Sequence, residues 1–158
     1  MSSFVEIGSN ALRLLGDDPI TSLTDDSERA RLVNALYEEV RDEVTRAAKW
    51  NCAGARQVLA SLAETPAFGF AFYHQLPANC LRVMDVLSGS SRVDHQVEGR
   101  KLMTDVSSVN LVYLKKITDP NEMDSLFIGA YTAKLAAELA EPVTGSRSLT
   151  EQMWQLYE

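Results

Sequence analysis

The side chains most able to do chemistry are few in this sequence, and their spacing is wrong for it. Histidine occurs twice, at His74 and His95, and neither lies near a cysteine or carboxylate at metal-ligand spacing. Asp94 precedes His95, but adjacent residues of a strand point to opposite faces. Cys52 and Cys80 could form one bridge at most, and they read as small buried thiols in a reducing compartment. No glycine-rich phosphate loop, Gly-x-Ser-x-Gly elbow or His-Glu-x-x-His sequence occurs. The sequence therefore assigns no catalytic residue, no metal site and no cofactor.

Carboxylates are abundant, notably Glu38/Glu39 and Asp42/Glu43. A glycoside hydrolase needs two of them facing each other about 5–10 Å apart, one in an apolar pocket. Here they fall on the polar side of a helical segment with arginines nearby, which is the pattern of a solvated face. A peptidoglycan-cleaving hydrolase built on these carboxylates is thus one rival reading, and a cytoplasmic protein-interaction module is another. Arg100-Lys101 and Lys115-Lys116 flank a β-rich stretch, but four cations are too few for a DNA site, and a net charge of −7 opposes phosphate binding. That charge is unevenly spread: residues 1–50 carry −4, residues 51–117 carry +2, and residues 118–158 carry −5. Such asymmetry suits copies that meet head to tail.

The elements that would position these groups are legible from periodicity and caps. Ser3 and Glu6 have capping-box spacing ahead of Phe4, Ile7, Ala11 and Leu14/Leu15, and Gly16 stops a helix over about 3–15. Thr24 or Asp25 caps a second helix over about 26–49, whose stripe is Leu32, Leu36, Val40, Val44 and Ala47/Ala48. Trp50 follows that stripe and reads as a core anchor. Gly54, Pro66, Gly69 and Pro77 interrupt residues 51–80. Residues 81–117 then read as a β insert of three or four strands, including a hairpin across Glu98-Gly99. Asp124 caps a third helix that ends at Glu141 before Pro142, and Ser148-Leu-Thr-Glu151 opens a fourth over about 149–158. The fold expected is α+β but predominantly α, a helical bundle with a small antiparallel β insert, in one domain. No apolar run approaches the ~18 residues of a membrane-spanning helix, and the first residues lack a secretory signal, so a chain made in the cytoplasm is expected.

The order of segments carries more than any single motif. Ala11-Leu-Arg-Leu-Leu-Gly16 is followed by Ile20-Thr-Ser-Leu23, Lys49-Trp-Asn-Cys-Ala53 and Leu76-Pro-Ala-Asn-Cys-Leu-Arg82. Then come Val97-Glu-Gly-Arg-Lys-Leu-Met-Thr-Asp105, Tyr113-Leu-Lys-Lys-Ile-Thr-Asp-Pro120, and Leu135-Ala-Ala-Glu-Leu-Ala140 with Thr144-Gly-Ser146. This series resembles the head-to-tail adaptors of tailed bacteriophages, the group of tail tubular protein A and the gateway-type adaptors. The resemblance covers nearly the whole chain. It implies a non-enzymatic virion protein of the phage neck, assembled in the host bacterial cytoplasm. Such a protein self-associates beneath the portal protein as a ring, typically of twelve copies. It presents a surface to the next tail or nozzle protein, and it leaves an axial channel through which genome DNA passes without specific binding. No membrane is involved. Relatives often extend beyond the last helix, whereas this sequence stops at Glu158.

Two sets of interface residues follow. Arg100, Lys101, Lys115 and Lys116 are expected to meet the acidic helical face of a neighbouring copy. Leu149, Met153, Trp154, Leu156 and Tyr157 on the last helix are expected either to form a docking face, joined to the third helix by Thr144-Gly-Ser146 and dispensable for the monomer's core, or to fold back onto their own bundle.

Overall fold

The computed structural model describes residues 3–145 and 147–158. Ser146, part of the joint expected before the last helix, lies outside the described residues. The chain divides into two compact units. One unit comprises residues to Cys52 together with Ile117–Glu158, and the other is Ala53–Lys116.

The first unit is helical: α1 (Phe4–Leu14), α2 (Glu28–Ala47), α3 (Ser125–Thr144) and α4 (Arg147–Tyr157). Ser3 caps α1 by accepting from the Glu6 amide. At its other end Gly16 takes φ +75°, and the Asp17 amide reaches back to the Leu12 carbonyl. The cap of α2 is Ser27, which accepts from the Ala30 amide, and not Thr24 or Asp25. Asp25 is spent upstream, accepting from the Thr21 hydroxyl and the Thr21 and Ser22 amides, and these bonds hold its carboxyl below the usual carboxylate range. The buried face of α2 is also rotated from the expected stripe. Ala30, Val33, Val40, Arg41, Val44 and Thr45 are buried, while Leu32 and Leu36 are not among them. A polar pair on that face is tolerable because the Arg41 guanidinium pairs with Asp42 and lies 5.9 Å from the Phe4 ring centre, while the Thr45 hydroxyl donates to the Arg41 carbonyl.

Asp124 caps α3 through the Phe127 amide. The helix runs through Pro142 to Thr144 and ends on Gly145 at φ +69°. Proline here falls in the last turn, where its missing N–H removes one bond without breaking the element. Phe127, Tyr131, Leu135 and Leu139 are fully buried. An aromatic seam runs through the unit. Phe4 packs on Tyr37 at 5.0 Å and on Tyr131 at 6.4 Å, Tyr131 on Phe127 at 6.2 Å, and Phe127 on Trp50 at 5.1 Å. The Tyr131 hydroxyl donates to the Tyr37 carbonyl, and burial pushes its pKa well above the ordinary value. α4 starts at Arg147, so Ser148 lies inside the helix and is not its cap.

The second unit overturns the expected architecture. Seven strands form two antiparallel sheets, and the described residues are 44% helical and 25% strand, a mixed α+β fold and not a helical bundle with a small insert. One sheet has the order β1 (Gly54–Ala60), β7 (Ser108–Lys115), β3 (Cys80–Ser88), β4 (Ser91–Arg92). The other has the order β2 (Phe72–Gln75), β6 (Lys101–Thr104), β5 (Gln96–Glu98). The β region thus begins at Gly54 and not at residue 81. β1 escapes a pattern-based reading because it is an edge strand whose only buried residue is Leu59, so it lacks apolar alternation. Leu59, Leu76, Cys80, Val86, Leu102, Val109, Leu111 and Tyr113, drawn from both sheets, form one core. The hairpin register is one residue from that expected. Glu98 pairs with Lys101, so the two turn residues are Gly99, at φ +62°, and Arg100. A positive φ at the first central position is what the tight hairpin turns require, and glycine adopts it without strain.

Candidate functional site

The residues assigned to interfaces have definite places. Arg100 is occupied within its own unit. Its guanidinium donates to the Cys80 carbonyl at 2.9 Å, the Pro77 carbonyl at 2.6 Å and the Ala78 carbonyl at 3.4 Å, closing the loop before β3. Lys101 donates to Glu64 at 2.6 Å and lies 4.9 Å from the Tyr73 ring centre. The Glu64 hydrogen bond raises its pKa. Lys115 is the register partner of Cys80, and the Lys116 amide bonds the Asn79 carbonyl. The Arg100 and Lys101 side chains are therefore engaged within the β unit.

The α4 residues separate into two groups. Met153 is buried. Trp154 and Tyr157 pack edge to face at 6.2 Å and cover the Lys134 ammonium at 4.6 and 5.2 Å. Lys134 itself is buried on α3 and pairs with Glu43 at 2.9 Å and Glu138 at 3.6 Å. Burial opposes this charge, yet the hydrogen bond to Glu43 and the two carboxylate charges outweigh it and raise the pKa. The helix is folded onto its own unit through a shielded cation, the second of the two arrangements expected for it. Leu149 is half-buried, and Leu156 remains 55% exposed.

The paired carboxylates lie on the surface of α2. Glu38 accepts from the Tyr37 hydroxyl, Asp42 from Arg41, and Glu43 from Lys134. Among the described residues, no three His, Cys, Asp or Glu side chains converge as a metal site would need, and Cys52 and Cys80 are not joined in a disulfide. His74 is fully buried. Its Nε2 reaches the Thr104 hydroxyl at 2.9 Å and the Val106 carbonyl at 3.0 Å, while Nδ1 has no partner. A carbonyl oxygen can only accept, so Nε2 is the donor in that bond.

Two surface features are not legible as a site in the sequence. A groove of about 490 Å³ on the helical unit is lined by Leu14, Leu126, Gly129, Ala130, Ala133 and Leu156, among others. In the β unit, the loop between β1 and β2 carries Phe68 at 89% exposure. Charge also divides along the units. The helical one carries 8 basic and 17 acidic groups, net −9, and the β unit carries 7 and 5, net +2. Among the described residues, no helix is long and apolar enough to cross a membrane. Comparison with protein-family profiles and with curated proteins finds no match for the chain.

Proposed function

We propose that this chain is a structural virion protein, the ring adaptor between the portal and the tail of a tailed bacteriophage, with no catalytic role. The observation that carries the reading is the division of charge, net −9 on one compact unit and +2 on the other. Copies of the same chain can bring units of opposite sign together only by pairing unlike units, and repeated unlike contacts close into a ring when the rotation allows. The segment series that resembles the head-to-tail adaptors supplies the setting: the portal above, a tail or nozzle protein below, and DNA passing through an axial channel. A net-negative chain suits that passage, because strong phosphate contacts would retard a sliding duplex. In this reading the protein is made in the bacterial cytoplasm, resides in the virion neck, and stays monomeric until the portal nucleates the ring.

Mixing the chain with the portal protein of the same virion tests the proposal. The expected result is a complex that elutes and sediments as one particle, while the chain alone runs as a monomer in mass photometry at low micromolar concentration. Rings formed readily without the portal would remove nucleation from the account. Failure of the two proteins to associate under any salt condition would remove the adaptor reading itself.

A further inference from the structure

We infer that neighbouring copies join by seating the Phe68 loop of one β unit in the apolar groove of the next copy's helical unit. This rests on the ring reading and names the contact within it. Among the described residues, six large apolar side chains are exposed, and Phe68 is the only aromatic one. Three of the other five, Leu14 at 43%, Leu126 at 77% and Leu156 at 55% exposed, line the groove. A projecting aromatic and an open apolar hollow on one chain, each left in water by that chain, form a heterologous pair.

The floor of the hollow is informative. Gly129 lies inside α3, where glycine costs stability relative to alanine. A Cβ built on Gly129 meets nothing within 4 Å, so no neighbour within the chain demands glycine there. A ring seated from outside would demand it. The groove's volume, about 490 Å³, accommodates a phenyl side chain with part of its loop.

The knob is held ready. Lys101 grips Glu64 at 2.6 Å at one end of the loop, and Asp105 accepts from the Ala71 amide at 3.0 Å at the other. The Leu62 amide bonds the Tyr73 carbonyl at 2.8 Å across the base, and Gly69 takes φ +90° at the tip. A loop already fixed in shape loses little entropy on docking. The opposite net charges of the two units favour this orientation over like-with-like encounters.

The test uses full-length chains with Cys52→Ser. One carries Ala67→Cys beside the knob, the other Leu126→Cys at the groove, and they are mixed and treated with a short bis-maleimide, with and without the portal protein. The expected product is the mixed dimer, cross-linked from position 67 of one chain to position 126 of the other, in at least about tenfold excess over either like-with-like product. Phe68→Ser should cut its yield about tenfold, as expected for an aromatic anchor. Gly129→Leu on the groove partner should do the same without lowering its own melting temperature, since the site has room and leucine is the better helix former. No mixed product in either condition overturns the contact. So does a yield indifferent to both substitutions. If the native chain still forms rings on the portal in that case, the adaptor reading stands with a different interface; if it forms none, both fall.

Discussion

Trp50 illustrates how a residue's role can be legible while its mechanism is not. The spacing after α2 marks it as an anchor, and it does contact Phe127. It is only half-buried, however, and its indole N–H donates to the Val44 carbonyl at 2.7 Å, one of the last-turn carbonyls that α2 cannot satisfy itself. Trp50→Phe should keep the ring contact and lose the bond, costing about 1 kcal/mol; Trp50→Ala should cost about 2–3 kcal/mol. Chemical denaturation of both variants checks the order, and equal losses would show that the bond contributes nothing. Arg100 reverses an expectation. A basic residue at a hairpin tip is ordinarily solvated and free to meet a neighbour, and nothing in the sequence reports that three carbonyls of residues 77–80 face it. Arg100→Ala should lower the stability of the isolated chain by about 1–2 kcal/mol, measured by thermal melting. A fully stable variant that assembles poorly would return Arg100 to the interface.

At the scale of elements, α1 and α2 meet where Gly8 faces Val33, and a Cβ on Gly8 would lie 2.6 Å from Val33 Cγ1. Gly8→Ala should therefore cost about 1–3 kcal/mol by overpacking. Because the clash is with one side chain, the double variant Gly8→Ala/Val33→Ala should lose less than the sum of the two single losses; strict additivity would mean the helices are not held at that point. The last helix gives a second prediction. Deleting residues 147–158 removes buried Met153 and uncovers Lys134, for a loss of roughly 2–4 kcal/mol. A truncated chain that melts like the native one would restore α4 as a detached docking element. Helix starts at the caps Ser3 and Asp124 and the stop at Gly16 are legible because they are local signals, whereas the end of α3 is not, because the helix continues through Pro142 to Gly145. The face of α2 is not, because Arg41 and Thr45 are buried through polar partners to which hydrophobic periodicity is blind. β1 is hidden for a related reason: an exposed edge strand keeps its backbone pairing with β7 while its side chains lose the alternation that marks a strand. The Phe68 loop and the groove are illegible as a pair because each looks like ordinary sequence until exposure is known.

At the scale of the molecule, the account rests on unlike surfaces of one chain meeting between copies. The net charge of −7 makes copies repel at long range and favours a dispersed monomer. Of the three ways to pair the two units, only helical with β brings opposite signs together. The ring is implied only by the resemblance of the segment order to the head-to-tail adaptors, while the unequal division of charge between compact units can be assigned only once the unit boundaries are known. The most direct measurement is electron microscopy of the chain bound to its portal protein, read for the symmetry of the added layer. The account predicts a closed ring of about twelve copies joined head to tail, each helical unit facing the β unit of its neighbour. A layer built from two-fold dimers with like units in contact, or single copies bound to the portal without touching one another, would contradict it.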